Sequence, residues 1–124
     1  MSAETEFRAM LAAHAGLAAL VGPRISQSAV EQGAALPVVV FASRHEPNHA
    51  LDDTLALDAI DFSIECWGQT AASAAAVAEQ VRAAVDAFDL ANPTQALAVT
   101  SEAVAYDGEL ALDGVVLTVQ WWRQ

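Results

Sequence analysis

Between Asp58 and Phe88 the hydrophobic period of the chain changes from two residues to about 3.6 across a single glycine. In DAIDFSIECW, residues 58–67, Ile60, Phe62, Ile64 and Cys66 alternate with Asp61, Ser63, Glu65 and Trp67. The two sets therefore point to opposite faces of a strand, one apolar and one wet or partner-facing. Gly68 turns the chain and Thr70 stands where a helix N-cap belongs. The stretch that follows places Ala74, Val77, Ala78, Val81, Ala84, Val85 and Phe88 on one stripe, with Glu79, Gln80, Arg82 and Asp86 opposite. Arg82 and Asp86 stand four apart and can pair weakly along that helix. A half-wet strand followed at once by an amphipathic helix has few ways to bury its apolar face. The simplest is a sheet with helices laid on one side.

The other segments fit that plan. From Glu4 to about Val21, Phe7, Met10, Leu11, His14, Leu17, Leu20 and Val21 recur at helical spacing. Gly16 is the expected break into a longer and a shorter helix, and Gly22–Pro23 the expected end. His14 falls on the apolar stripe and reads as a packed residue with a hydrogen-bonded ring. Arg24 to Ala35 reads as a connecting loop, LPVVVFAS (36–43) as a proline-led strand, and Arg44 to about Asp58 as a polar loop. Ala96–Tyr106 and Val115–Trp122 read as two further strands, joined by a turn around Asp107–Gly108 and Asp113–Gly114. The expected fold class is α+β, in the order α-β-β-α-β-β. It has a single sheet of about four mainly antiparallel strands with two main helices on one face. No repeat or linker interrupts the chain, so residues 1–124 read as one domain.

Hydrophobic residues make up 55% of the chain, but many are alanines, which add helix propensity and little burial. The core must rest on fewer large groups, among them Phe7, Leu11, Leu17, Phe41, Phe62, Leu117 and the Trp121–Trp122 pair. Such a core suits a chain that completes its burial against neighbours. Sixteen acidic residues face five arginines and no lysine, for a net charge of −11. That surface repels phosphate, which argues against nucleic-acid binding and against an anionic membrane surface. No apolar run suits a bilayer span, and no basic segment precedes the first apolar stretch, so the expected starting compartment is the cytoplasm.

The chemistry-bearing residues do not converge on a reaction. His45, Glu46, His49, Asp52 and Asp53 cluster in the central loop, and imidazole with carboxylate can bind a transition metal. His45-Glu46-Pro47-Asn48-His49 has the letters of H-E-x-x-H, but that signature needs a helix and Pro47 rules one out, so a solvated acidic loop is the reading adopted. There is no G-x-S-x-G elbow and no glycine-rich phosphate loop. Cys66 is the only cysteine and lies in the apolar alternation, where a buried, inert thiol is expected. No enzyme, metal or cofactor is read from these residues. The tryptophans say more. Trp121 and Trp122 are adjacent in a strand and must project from opposite faces, while Trp67 shares a face with Asp61 and Glu65. Glu65, Trp67, Trp121 and Trp122 are thus candidates for a subunit or partner interface, or rim tryptophans packed on their own domain's loops.

Pieces spread along the chain resemble a family. LAAHAGLAALVGPRI, QGAALPVVVF, HEPNHALDD ahead of DFSIECWGQT, AASAAAVAEQVRAAVDAF and VVLTVQWWRQ together, in that order and spacing, look like the small tail-completion or tail-terminator proteins of long-tailed phages and gene transfer agents. The resemblance implies an α+β subunit that assembles with itself into a ring, expected to be a hexamer, on the head-proximal end of the tail tube. There it would stop tube polymerisation and meet the head connector. It implies partners in the tube protein and the connector adaptors, no catalytic residues and no cofactor. DNA would pass through such a ring without specific binding, and Glu46, Asp52, Asp53 and Asp58 are candidates for an acidic channel-facing loop. Assembly would occur in the host cytoplasm, the finished place being the head–tail junction of the particle. The alternatives are a head-completion or connector adaptor, a ligand-binding or enzyme domain using the histidine–carboxylate loop, and a generic ferredoxin-like module.

Overall fold

A computed structural model describes residues 2–27, 35–48, 57–92 and 95–123, with the backbone alone at 45–48, 57–58 and 123. Helix α1 (Ala3–Ala13) starts at Ser2, whose hydroxyl accepts from the Thr5 amide at 3.1 Å, and Glu4 and Glu6 in its first turn oppose the helix dipole. Phe7 and Leu11 are its buried side. The helix stops at His14, in extended geometry, and α2 (Ala15–Val21) restarts from there, burying Leu17 and Val21. The break thus falls two residues ahead of Gly16, which lies inside α2. The glycine serves another purpose. A Cβ on Gly16 would meet the Gln80 side chain at 2.0 Å, so it makes room for an amide that also lies 3.3 Å from His14 Nε2. His14 is the packed, hydrogen-bonded residue that its position on the stripe suggests.

Five strands form one sheet in the order β1-β2-β3-β5-β4. They are β1 (Ile25–Gln27), β2 (Val38–Asn48), β3 (Leu57–Gly68), β4 (Ala96–Asp107) and β5 (Leu112–Arg123). All pairings are antiparallel except β1 with β2. The α+β class and the single sheet hold, but five strands and three helices replace the expected four and two. The extra strand is β1, three residues inside what reads as a loop, too short to show a period and defined only by its pairing with Val39–Phe41. The stretch from Arg44 to Asn48 is also strand rather than loop, paired with Leu57–Asp61. At Pro47, which cannot donate to a ladder, β2 pairs only with β3 among the described residues.

Helix α3 (Ala71–Ala91) has the predicted start: the Thr70 hydroxyl accepts from the Ser73 amide at 3.1 Å. It buries Ala74, Val77, Ala78, Val81, Ala84 and Val85, a narrow stripe of small and branched residues that lets the helix lie close to the sheet. Its far end is tied down where the Asp89 carboxylate accepts from the Leu97 amide at 3.0 Å. Arg82 does not pair along the helix with Asp86 but reaches across to Glu102 on β4.

All three helices pack on the sheet face that presents Val39 and Phe41, alternate residues of β3 from Ile60 to Cys66 and of β5 from Val115 to Trp121, and Leu97. Phe7 fills the centre, stacked on Phe62 with ring centroids 4.0 Å apart, and Phe41 and Trp121 tilt around it. Phe88 closes the cluster edge-on to Trp121 at 5.6 Å. Five aromatic rings thus give the alanine-rich chain a core that its methyl groups alone could not.

Candidate partner interface

The site candidates sort by sheet face. Trp121 points to the helices, is 2% exposed and donates its indole N–H to the Gln95 side chain at 2.8 Å. It is a core residue, and any part it plays in a contact surface is indirect. Trp122, its neighbour, projects from the other face and is half-buried, flanked in register by Ala59 and Ala96. A large ring between two methyl groups stands above the strands around it.

Trp67 lies on the same face as Trp122, at the opposite end of the sheet. It crosses β5 directly over Gly114, where a Cβ would come within 2.6 Å of the indole ring. Glycine at 114 is therefore what lets the tryptophan lie flat. Glu65, two residues back on the same face, accepts from the indole N–H at 3.3 Å. Trp67 and Glu65 form one small unit, a half-buried ring with its polar edge tied down. Gly114 and Trp122 are eight positions apart on β5, which separates the two tryptophans by about 27 Å. Asp61, Ser63, Thr118 and Gln120 fill the space between them on this face.

The acidic candidates fall at the Trp122 end. Glu46 is opposite Ala59, itself opposite Trp122, and Asp58 is opposite both Pro47 and Arg123. Asp52 and Asp53 lie outside the described residues, as does His49. Register thus brings the tryptophan and the flanks of the acidic loop to one end of the sheet, a juxtaposition hidden in the linear sequence.

The sequence reading missed four residues: Thr100, Val104, Tyr106 and Leu110. A register shift between Val99 and Ser101 leaves Thr100 unpaired as a bulge, its hydroxyl donating to the Thr118 carbonyl at 3.2 Å. The bulge changes the alternation of β4. Leu97 and Val99 face the helices before it, and Glu102, Val104 and Tyr106 face the same way after it. The helices do not extend over that end. Val104 is 85% exposed and Tyr106 65%, and Leu110 in the following turn is 67% exposed. The turn is built on Asp107, whose carboxylate accepts from the amides of Glu109 and Leu110 at 3.0 and 3.2 Å.

Cys66 is sealed in the core, and burial first, then the nearby Glu102 and Glu65, push its thiol up to about 12. It stays protonated and is a poor nucleophile at neutral pH. An open trough of about 560 Å³ runs between α1 and the end of α3, over Met10, His14, Phe88 and Trp121. Its histidine is already engaged by Gln80. Among the described residues no helix is long and apolar enough to cross a membrane, and no three metal-ligating side chains gather. The histidine–carboxylate loop has its side chains outside the described set. What this arrangement offers is surface: two half-buried tryptophans, one of them tied to Glu65, and an end carrying Glu46 and Asp58.

The family model for "Tail completion protein gp17" matches residues 5–124. The chain belongs to that family. Its role is thus a structural one in a tail, and its work is assembly. No curated protein matches the chain. Among solved structures, the fold is similar to a chain of a native gene transfer agent virion particle, with a TM-score of 0.73 at 24% identity. The match covers 94% of this chain and 90% of that one. The tail-completion family therefore has here a five-stranded, three-helix α+β domain with all three helices on one sheet face.

Proposed function

We propose that this tail-completion protein closes the head-proximal end of a tail tube as a hexameric ring, ends tube polymerisation there and presents its other surface to the head connector. The observation that carries this is the family match over residues 5–124, joined to a fold likeness with a chain of a gene transfer agent particle. The surface supports it. Glu65 with Trp67 at one end of the sheet face away from the helices, and Trp122 at the other, suit two separate contacts, as a part that meets different neighbours above and below requires. The end bearing Glu46 and Asp58, with Asp52 and Asp53 between them in sequence, faces the channel. There its negative charge keeps passing DNA from sticking. The ring assembles in the host cytoplasm and remains at the head–tail junction of the particle.

The test is solution mass by light scattering across a concentration series, alone and with tail-tube protein, alongside electron microscopy of particles made without the gene. A ring, free or on the tube end, and overlong tubes when the protein is missing are the expected results. A strict monomer indifferent to tube protein, with tubes of normal length and headless tails, would move the chain to a connector adaptor.

A further inference from the structure

β4 is the last strand of the sheet, and its outer side has no partner strand among the described residues. Beyond the bulge it runs regularly against β5 from Ser101 to Asp107, about 23 Å of strand. Ser101, Glu102, Ala103, Val104 and Tyr106 are all exposed. A bare edge of that length is a template for another strand, and chains usually blunt it with lysine, proline or brevity. This stretch has neither lysine nor proline. Val104, Tyr106 and Leu110, in the turn that follows, are also three of the four large apolar side chains exposed among the described residues. The unpaired edge and the exposed apolar groups coincide.

The edge is complementary to itself. In SEAVAYD, residues 101–107, Val104 is the central residue. A second copy laid antiparallel therefore pairs over the whole stretch only in the register that sets Val104 opposite Val104. That register sets Ala103 opposite Ala105, Glu102 opposite Tyr106 and Ser101 opposite Asp107, so no carboxylate stands opposite another. Glu102 already has its charge balanced by Arg82 of α3, and the Asp107 carboxylate accepts from the amides of Glu109 and Leu110. The Tyr106 ring of each copy comes beside the Arg82–Glu102 pair of the other, where its O–H can donate to the carboxylate.

We infer that two copies of this chain pair through Ser101–Asp107, antiparallel about a two-fold axis at Val104, and join their five-stranded sheets into one. The contact is isologous and closes at two copies. It goes beyond the ring reading and does not depend on it.

The experiment is light scattering of the free protein over a concentration series, at about 0.05 and 0.5 M salt, on wild type and Val104→Lys, each checked for fold by circular dichroism. Wild type should form dimers, and more readily at high salt, because screening weakens the repulsion between two chains of charge −11. Val104→Lys alters a side chain that is 85% exposed and should need at least about tenfold more protein to dimerise. Val104→Cys should cross-link to its own copy on mild oxidation, since opposed residues in such a pair have Cα atoms about 4.5–5.5 Å apart. Cys66 is buried and takes no part. Ala105→Cys, whose two copies would lie more than about 8 Å apart, should not cross-link. A wild type monomeric at both salts, a dimer or ring indifferent to Val104→Lys, or equal cross-linking of the two cysteine variants would each overturn the inference. Loss of binding to tube protein by Val104→Lys, with the free protein unchanged, would assign the edge to the tube and overturn it as well. Dimers that form no ring on tube protein would leave this contact standing and remove the ring reading.

Discussion

Trp121 and Trp122 are neighbours in sequence and opposites in environment. One is sealed under the helices, ringed by Phe7, Phe62 and Phe88, with its indole N–H satisfied by Gln95. The other stands half-exposed between two alanines on the face away from the helices. Their difference shows how a strand divides its labour: one set of side chains makes the fold and the alternate set is left for other work. The same residue type is structural or available according to parity alone.

That contrast can be broken most forcefully from the core side. Trp121→Ala should cost about 3–5 kcal/mol in urea unfolding, because it opens a cavity in the aromatic cluster and strands the Gln95 amide. Gly114→Ala forces the Trp67 ring off β5 and should cost about 1–3 kcal/mol, with a change in tryptophan emission that Trp122→Ala does not share. Burial of the Cys66 thiol gives a pH signature of the closed face. Its pKa rises from an ordinary 9.0 to about 12 on folding, so the native chain keeps a proton that the unfolded chain loses. Its contribution is intact below about pH 9 and falls by about 1.4 kcal/mol per unit above that, until the folded pKa is reached. Cys66→Ala should flatten that slope relative to wild type in urea midpoints taken from pH 8 to 10. The smallest effect on stability belongs to the face away from the helices. Trp122→Ala should shift unfolding by about 1 kcal/mol or less, yet weaken assembly in light scattering. Unchanged assembly would return Trp122 to the role of a rim residue packed on its own domain.

The sequence showed the elements whose signals are local and periodic. The strand around Phe62 and the helix from Thr70 stand where the alternation and the cap put them, and Glu65 and Trp67 share a face as parity requires. What it hid depended on pairing. Three residues at Ile25–Gln27 become a strand only because Val39–Phe41 lies beside them. The continuation of β2 through Arg44–Asn48 is held by its register with β3 against a charged, proline-containing sequence that argues for a loop. The helix break falls at His14 rather than Gly16, and the glycine instead leaves room for the Gln80 side chain. For the candidate surface, the meeting of Trp122 with the flanks of the acidic loop was invisible for the same reason: it is a property of register. The bulge in β4 left no mark in composition at all, and it is what exposes Val104 and Tyr106 on the helix side.

Thr100 has a consequence for how this strand can change length. Val99 already pairs with Val119 and Ser101 with Thr118, so the threonine is the one residue of β4 that the ladder skips. A gene that lost its codon would encode a plain hairpin with every later residue still opposite its present partner. Loss of a neighbouring codon could be absorbed by letting Thr100 take up the vacated pairing. The edge strand thus carries a spare residue, a slack link through which deletions can pass without turning the core outward.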